Sequence, residues 1–214
     1  MSAERKRLVT LISGSGSNLQ SLLEGCASGQ INGDMVGVLS NRPGVFGLER
    51  AAAAGVSAVV VDHTAYSQRS AFEAELRRVI DAWGPDLVLL AGFMRILEPA
   101  FVAHYHGRLL NIHPSLLPAY KGTHTHQRVL EAGDAVHGAS VHFVTAELDG
   151  GPVILQAVVE VLDDDDATQL AQRVLAREHV IYPQAAAWFC ADRLQLEAGQ
   201  VVLDGQRLEQ PVRV

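Results

Sequence analysis

Four apolar runs recur in the first part of the chain: RLVTLIS (7–13), MVGVLS (35–40), SAVVVD (57–62) and DLVLLAG (86–92). None of them alternates polar with apolar residues. A strand that is apolar throughout has no face to give to water, so it belongs in a sheet covered on both sides. The intervening segments have the spacing of such covers. SNLQSLLEGCASG (17–29) aligns Leu19, Leu22, Leu23 and Cys26, and VFGLERAAAAG (45–55) reads as a helix ending at Gly55. SQRSAFEAELRRVIDAWG (67–84) places Phe72, Leu76, Val79 and Ile80 on one face. Strands alternating with helices predict a parallel sheet in an α/β fold.

The second half is less regular. GRLLNI (107–112) is strand-like, residues 126–133 have helical spacing, and GASVHFVT (138–145) alternates as a half-exposed strand would. GPVILQAVVEV (151–161) precedes a long helix, from about Asp166 to Ala191, that Pro183 should kink. RLQLEAGQVVLDGQRL (193–208) reads as a hairpin turning at Ala198-Gly199. No repeat, linker or break in composition divides the chain. One domain over 1–214 is expected, with a core of about 7–191 and the hairpin at about 193–208. The acidic run LDDDD (162–166) sits where it would cap the long helix and complement its dipole; a divalent metal is the sharper alternative.

A net charge of −7 argues against a nucleic-acid partner, which usually calls for a basic face. The two cysteines, Cys26 and Cys190, lie far apart and in no zinc spacing, as in a protein with reduced thiols. The apolar run after MSAERKR is too short for a signal-peptide core, and no 18-residue apolar stretch occurs. A cytoplasmic protein with no membrane association is expected.

Two segments carry chemistry. SGSGSN (13–18) joins the first strand to the first helix, and its glycines can bring free N–H groups close to an anion. It lacks the third glycine of a dinucleotide fingerprint and the Lys-Ser/Thr of a P-loop. It is either a site for a single phosphate or a tight turn capped by Ser17 or Asn18. In GRLLNIHPSLLPAYKG (107–122), Asn111 and His113 stand two apart on an extended strand and so share a face. Pro114 restricts the backbone of His113, and Pro118 stiffens the same loop. An amide donor beside an imidazole suits a carbonyl carbon under nucleophilic attack; a capped strand end with a surface histidine is the plainer reading. Asp149, in ELDGG (147–151), precedes two glycines that could fold a loop back, and a carboxylate near His113 would favour its imidazolium. His124, His126 and Glu178-His179 lack ligand spacing, so no metal is expected. His142 reads as a polar neighbour of the site and Cys26 as core. Lys121 either assists a phosphate or is solvated.

The segments LISGSGSNLQ, SNRPGVFGLERA, LAGFMRIL, LLNIHPSLLP, HGASVHFVTAELDGGPVILQ and EHVIYP span nearly the whole chain. In that order they resemble the phosphoribosylglycinamide formyltransferase family, folate-dependent enzymes of purine biosynthesis. The resemblance implies a three-layer, Rossmann-like formyltransferase fold, with a mostly parallel central sheet and a partly antiparallel C-terminal half. It implies formyl transfer from 10-formyltetrahydrofolate, a co-substrate, to the amine of glycinamide ribonucleotide. By position, Gly16, Ser17 and Asn18 would bind the ribonucleotide phosphate and Glu178 the glycinamide part. Arg69, Met94, Arg95, Ile96, Leu97 and the loop of Thr145, Ala146, Glu147, Leu148 and Asp149 would surround the folate, with Asn111 also touching it. Asn111, His113 and Asp149 would be the catalytic trio.

The substrates are small molecules, and a homodimer is left open. Three rivals stand beside this reading. A formyltetrahydrofolate hydrolase shares the core but carries an added N-terminal domain, whereas the first strand here begins near residue 7. A methionyl-tRNA formyltransferase adds a nucleic-acid-binding domain, and the net charge is wrong for tRNA. A non-catalytic nucleotide binder would need the phosphate loop but not the trio.

Overall fold

The computed structural model describes residues 4–214. β1 (Lys6–Ile12), β2 (Gly33–Ser40), β3 (Ala58–Val60), β4 (Leu87–Leu90) and β5 (Leu109–His113) all run the same way. Their crossovers carry α1 (Ser17–Ser28), α2 (Phe46–Ala53), α3 (Arg69–Trp83) and α4 (Pro99–His104). After α5 (Thr125–Ala132), β6 (Val136–Phe143) returns antiparallel to β5, and β7 (Val153–Glu160) pairs antiparallel with β6. α6 (Ala167–Cys190) then crosses the sheet, and β11 (Val212–Arg213) joins it parallel to β7. The strand order is β11-β7-β6-β5-β4-β1-β2-β3. This is the three-layer fold with a mostly parallel sheet and a partly antiparallel continuation.

Successive residues of β1 explain its unbroken apolarity. Leu8 and Ile12 pack in the cluster with Leu19, Leu22, Ile181 and Tyr182, while Val9 and Leu11 pack with Phe72, Leu76 and Phe101 on the other face. Because β1 lies between β2 and β4, a crevice opens at the carboxyl ends of β1 and β4, where open α/β sheets place ligands.

α6 begins as the acidic run predicts. Asp166 accepts from the N–H groups of Thr168 and Gln169, and the Gln169 side chain returns to the Asp166 N–H, a capping box. Asp165 pairs with Arg173. The helix continues through Pro183, and the Tyr182 hydroxyl beneath it donates to the carbonyls of Leu90 (2.9 Å) and Leu110 (3.2 Å). β8 (Leu194–Glu197) and β9 (Gln200–Leu203) form the expected hairpin, with Ala198 and Gly199 both at positive φ as a two-residue primed turn requires. β10 (Gln206–Arg207) adds a third strand to it.

Two expectations change. SAVVVD yields only a three-residue edge strand, with Ala58 and Val60 exposed. β6 is not half-exposed: every residue after Val136 is buried. Its polar residues face other protein groups, since Ser140 donates to the Ser115 carbonyl, His137 meets His126 and His142 meets Asn111. From Gly138 to Phe143 the alternation therefore marks one apolar and one polar buried face, with His137 standing at the start of the apolar one.

Candidate active site

β1 delivers Ser13 to the crevice and the chain turns into α1. The N-cap of α1 is Gly16, at φ 70, with no side-chain cap; neither Ser17 nor Asn18 caps it. α2 packs so closely here that a Cβ on Gly16 would lie 2.6 Å from the Gly47 Cα. The opening N–H groups of α1 are thus left without a side-chain acceptor, and Gly16, Ser17 and Asn18 line a cavity of about 180 Å³. That is the chemistry of an anion site. Arg50 steadies the turn through the Ser15 carbonyl at 2.9 Å. The Ser13 hydroxyl donates to Asn41 Oδ1 (2.6 Å) and accepts the Met94 N–H (2.8 Å), tying this turn to the loop after β4.

β5 brings Asn111 and His113 to one face. His113 is buried; its Nε2 lies 2.9 Å from the Tyr120 carbonyl and its Nδ1 3.5 Å from Asp149 Oδ2. Both ring nitrogens therefore face acceptors, an arrangement that an imidazolium satisfies fully and a neutral ring only half. Asp149 sits at φ 47, a left-handed conformation uncommon outside glycine, and its Oδ2 also accepts the Gly122 N–H at 2.9 Å. The return of this loop depends on Gly151, where a Cβ would overlap the Phe143 carbonyl. His142, opposite Asn111 across the β5–β6 ladder, places Nε2 at 3.1 Å from Asn111 Nδ2 and Nδ1 at 2.9 Å from the Phe143 carbonyl. Burial lowers the pKa of His142, with the Phe143 carbonyl and Asp149 opposing.

α6 supplies Glu178, 6% exposed, whose Oε2 accepts from Asn18 Nδ2 at 2.6 Å. Burial pushes its carboxyl up to about 7, and the Asn18 hydrogen bond only partly opposes this. Folding disfavours the ionised form, so stability declines as pH rises from about 4.5 through 7 and stays low above that. Glu178→Gln should therefore be more stable than the parent at pH 8, by on the order of 3 kcal/mol, and equal to it below pH 4.5. Urea midpoints at the two pH values test this; equal midpoints at pH 8 would show that the carboxylate is not strained.

Two cavities meet at these residues. One, of about 610 Å³, is lined by Asn18, Met94, Arg95, Ile96, Asn111, His113, Asp149 and Glu178, among others. The other, of about 90 Å³, is lined by Arg95, Ile96, Leu97, Asn111, His142 and the loop from Val144 to Asp149. Asn111 and Asp149 belong to both. Met94, Ile96 and Leu148 leave large apolar side chains exposed at the rims, a common mark of a binding surface. Thr145, Ala146 and Glu147 line the smaller cavity. Arg69 lines neither: it pairs with Glu73 at 3.1 Å, and Glu73 accepts the Glu98 N–H, so Arg69 buttresses the loop after β4 from behind. Lys121 lies away from the turn at Gly16–Asn18 and stays partly exposed to solvent. It pairs with Glu147 at 2.7 Å and joins the two loops that hold Tyr120 and Asp149. Sequence reasoning missed Ser13 and Asn41, and the bond from His142 to Asn111; only the alternation along β6 signalled the last of these.

The THTH histidines do not converge on a metal; among the described residues no three His, Cys, Asp or Glu side chains form a group that could hold one. His126 Nδ1 instead meets His137 Nε2 at 3.1 Å. Burial, then the neighbouring His126, lowers His137 to about 4, and burial lowers His126 as well. Both rings are neutral in the fold, whereas the unfolded chain takes up protons below about 6.5. The contribution of His137 to stability is whole above pH 6.5 and should be lost between there and about 4. Denaturant titrations of the parent and His137→Gln across that range test the assignment: an unchanged slope in the variant refutes it.

The model of the formyl transferase family matches residues 6–186. The phosphoribosylglycinamide formyltransferase of Escherichia coli (strain K12) is 54% identical over 201 residues, covering 94% of this chain and 95% of that one. The solved phosphoribosylglycinamide formyltransferase of Coxiella burnetii superposes with a TM-score of 0.93 at 44% identity, over 98% of this chain and 99% of the other. A formyltetrahydrofolate deformylase from Burkholderia mallei shares the fold at a TM-score of 0.85 and 31% identity, over 93% of this chain and 70% of that chain.

Proposed function

The chain belongs to the formyl transferase family, and we propose that the cavity at the α1 turn and the two cavities that share Asn111 and Asp149 together take the two substrates of the transfer, with His113 in the larger of the two. The reaction moves the formyl group of 10-formyltetrahydrofolate to the amine of phosphoribosylglycinamide, a step of purine biosynthesis. In this reading the phosphate rests on Gly16, Ser17 and Asn18, and Glu178 meets the glycinamide ribonucleotide. The folate lies against Met94, Arg95, Ile96 and Leu97, against Asn111, and under the loop from Thr145 to Asp149. Arg69 acts on it through Glu73 and the loop after β4.

The amine attacks the formyl carbon, and the C=O electron pair moves onto oxygen. An Asn111 N–H and the His113 imidazolium stabilise that oxyanion, and Asp149 holds the imidazolium in place. Collapse breaks the bond to the folate nitrogen. That nitrogen gains a proton as the attacking amine loses one, leaving a formylated amine and tetrahydrofolate.

The observation that carries this reading is the placement of His113, with both ring nitrogens facing acceptors, beside the Asn111 amide. In this reading residues 4–214 act as one domain, in the cytoplasm, with residues 1–3 of the expected span outside the described ones, and a homodimer is the assembly to test by sedimentation. Among the described residues no helix is long and apolar enough to cross a membrane. Because a deformylase shares the fold, water is the competing acceptor. Folate absorbance should report formyl loss that depends on added phosphoribosylglycinamide; rapid loss without it, unchanged on addition, would mean hydrolysis.

A further inference from the structure

The Asn111 amide has two ways to sit. Oriented one way, it offers the cavity an N–H and a carbonyl oxygen; rotated by 180° about its last bond, it offers N–H groups only. Formyl transfer, the reaction on which this inference rests, uses both kinds of group. The developing oxyanion needs a donor, and the incoming amine needs an acceptor to aim its lone pair at the formyl carbon.

His142 selects between the two. Its Nδ1 lies 2.9 Å from the Phe143 carbonyl, which can only accept, so Nδ1 carries a proton. In the neutral ring Nε2 is then a bare acceptor, and the group 3.1 Å away must be a donor, the Asn111 Nδ2–H. His142 is 2% exposed, which keeps the ring neutral. Asp149 Oδ1, at 3.8 Å, lies beyond hydrogen-bond distance from Nε2. The aim of the ring is also fixed by the backbone: the β6–β7 register shifts between Val141 and His142, and such irregularities redirect side chains beside active sites.

We propose that His142 is a positioning residue: its Nε2 anchors one Asn111 N–H, so that the amide presents its other N–H to the oxyanion and its carbonyl oxygen to the amine. His142 need not touch either substrate. It acts on the rate through Asn111.

His142→Leu removes the acceptor, and kcat should fall ~10–100-fold, with KM for both substrates within about threefold. His142→Gln can offer its own carbonyl oxygen to Asn111 Nδ2 and should recover most of that loss. In an Asn111→Ala background His142→Leu should cost little more, since the group it positions is gone. Should the leucine variant misfold, ¹⁵N spectra of the histidines in the unmodified protein still decide the point. His142 should be protonated at Nδ1 and bare at Nε2 near neutral pH. An Nε2–H signal, a leucine variant with kcat within twofold of the parent, no recovery by glutamine, or an undiminished loss in the Asn111→Ala background would each overturn the proposal. A parent protein that fails to transfer formyl at all would overturn the assigned reaction instead, and the nitrogen spectrum would remain informative.

Discussion

Replacing His113 with alanine should lower the rate of formyl transfer by ~10²–10⁴-fold and leave the binding of both substrates within a few-fold. The ring is held from both sides, by the Tyr120 carbonyl at 2.9 Å and Asp149 at 3.5 Å, so in the proposed reaction it is fixed beside the developing oxyanion. Its ground-state contacts are made with the protein itself, so binding should change little. Asp149→Asn should reproduce part of the loss, because the ring then has no carboxylate at 3.5 Å from its Nδ1. Single-turnover measurements separate the chemical step from binding. A variant with more than about a tenth of the parent rate at saturation would remove His113 from the mechanism.

The second large effect concerns the phosphate turn. Gly16→Ala should raise the KM for the ribonucleotide ~10²–10³-fold with little change in the KM for the folate. Alanine is strained at φ 70, and its Cβ would meet the Gly47 Cα at 2.6 Å, so the N–H groups at the start of α1 lose their alignment. Two weakened hydrogen bonds to a charged group, at about 1.5–3 kcal/mol each, account for a change of that size. The dephosphorylated nucleoside should be a correspondingly poor acceptor for the parent protein, and the two losses should not add, because both remove the same anchor. If Gly16→Ala raised the two KM values equally, the turn would be a structural element and the phosphate would bind elsewhere.

Much of this was legible in the sequence because two simple signals govern it. Apolarity at every position marked β1, β2 and β4, and a spacing of two placed Asn111 and His113 on one face. α4 and β11 escaped because six and two residues are too few to show a period. The reading of β6 failed for a physical reason: alternation distinguishes polar from apolar faces, whereas burial depends on what covers them. The alternative of a side-chain cap on α1 fails for a related reason. Ser17 and Asn18 have the side chains a cap wants, but the closeness of α2 admits only glycine at the turning position. Arg69 pairs locally, with Glu73 four residues on, but the links from Lys121 to Glu147 and from Glu73 to the Glu98 backbone are long-range, and no local pattern encodes them.

Tyr182 gives the site a ruler. Its hydroxyl grips the carbonyls of Leu90 and Leu110, the residues just before Ala91 and Asn111, and Glu178 lies one helical turn, about 6 Å, along the same helix. Asn18, in the first turn of α1, is bonded in turn to Glu178. The start of α1, the Glu178 carboxylate and the Asn111 amide are thus all gauged from α6, so in the proposed reading the span from phosphate to amine is a dimension of the protein rather than of a flexible loop. An acceptor one methylene longer would carry the right groups to the wrong place, and a misplacement of about 1 Å can cost ~10²-fold in rate. Selection by length follows without any residue that recognises the extra carbon.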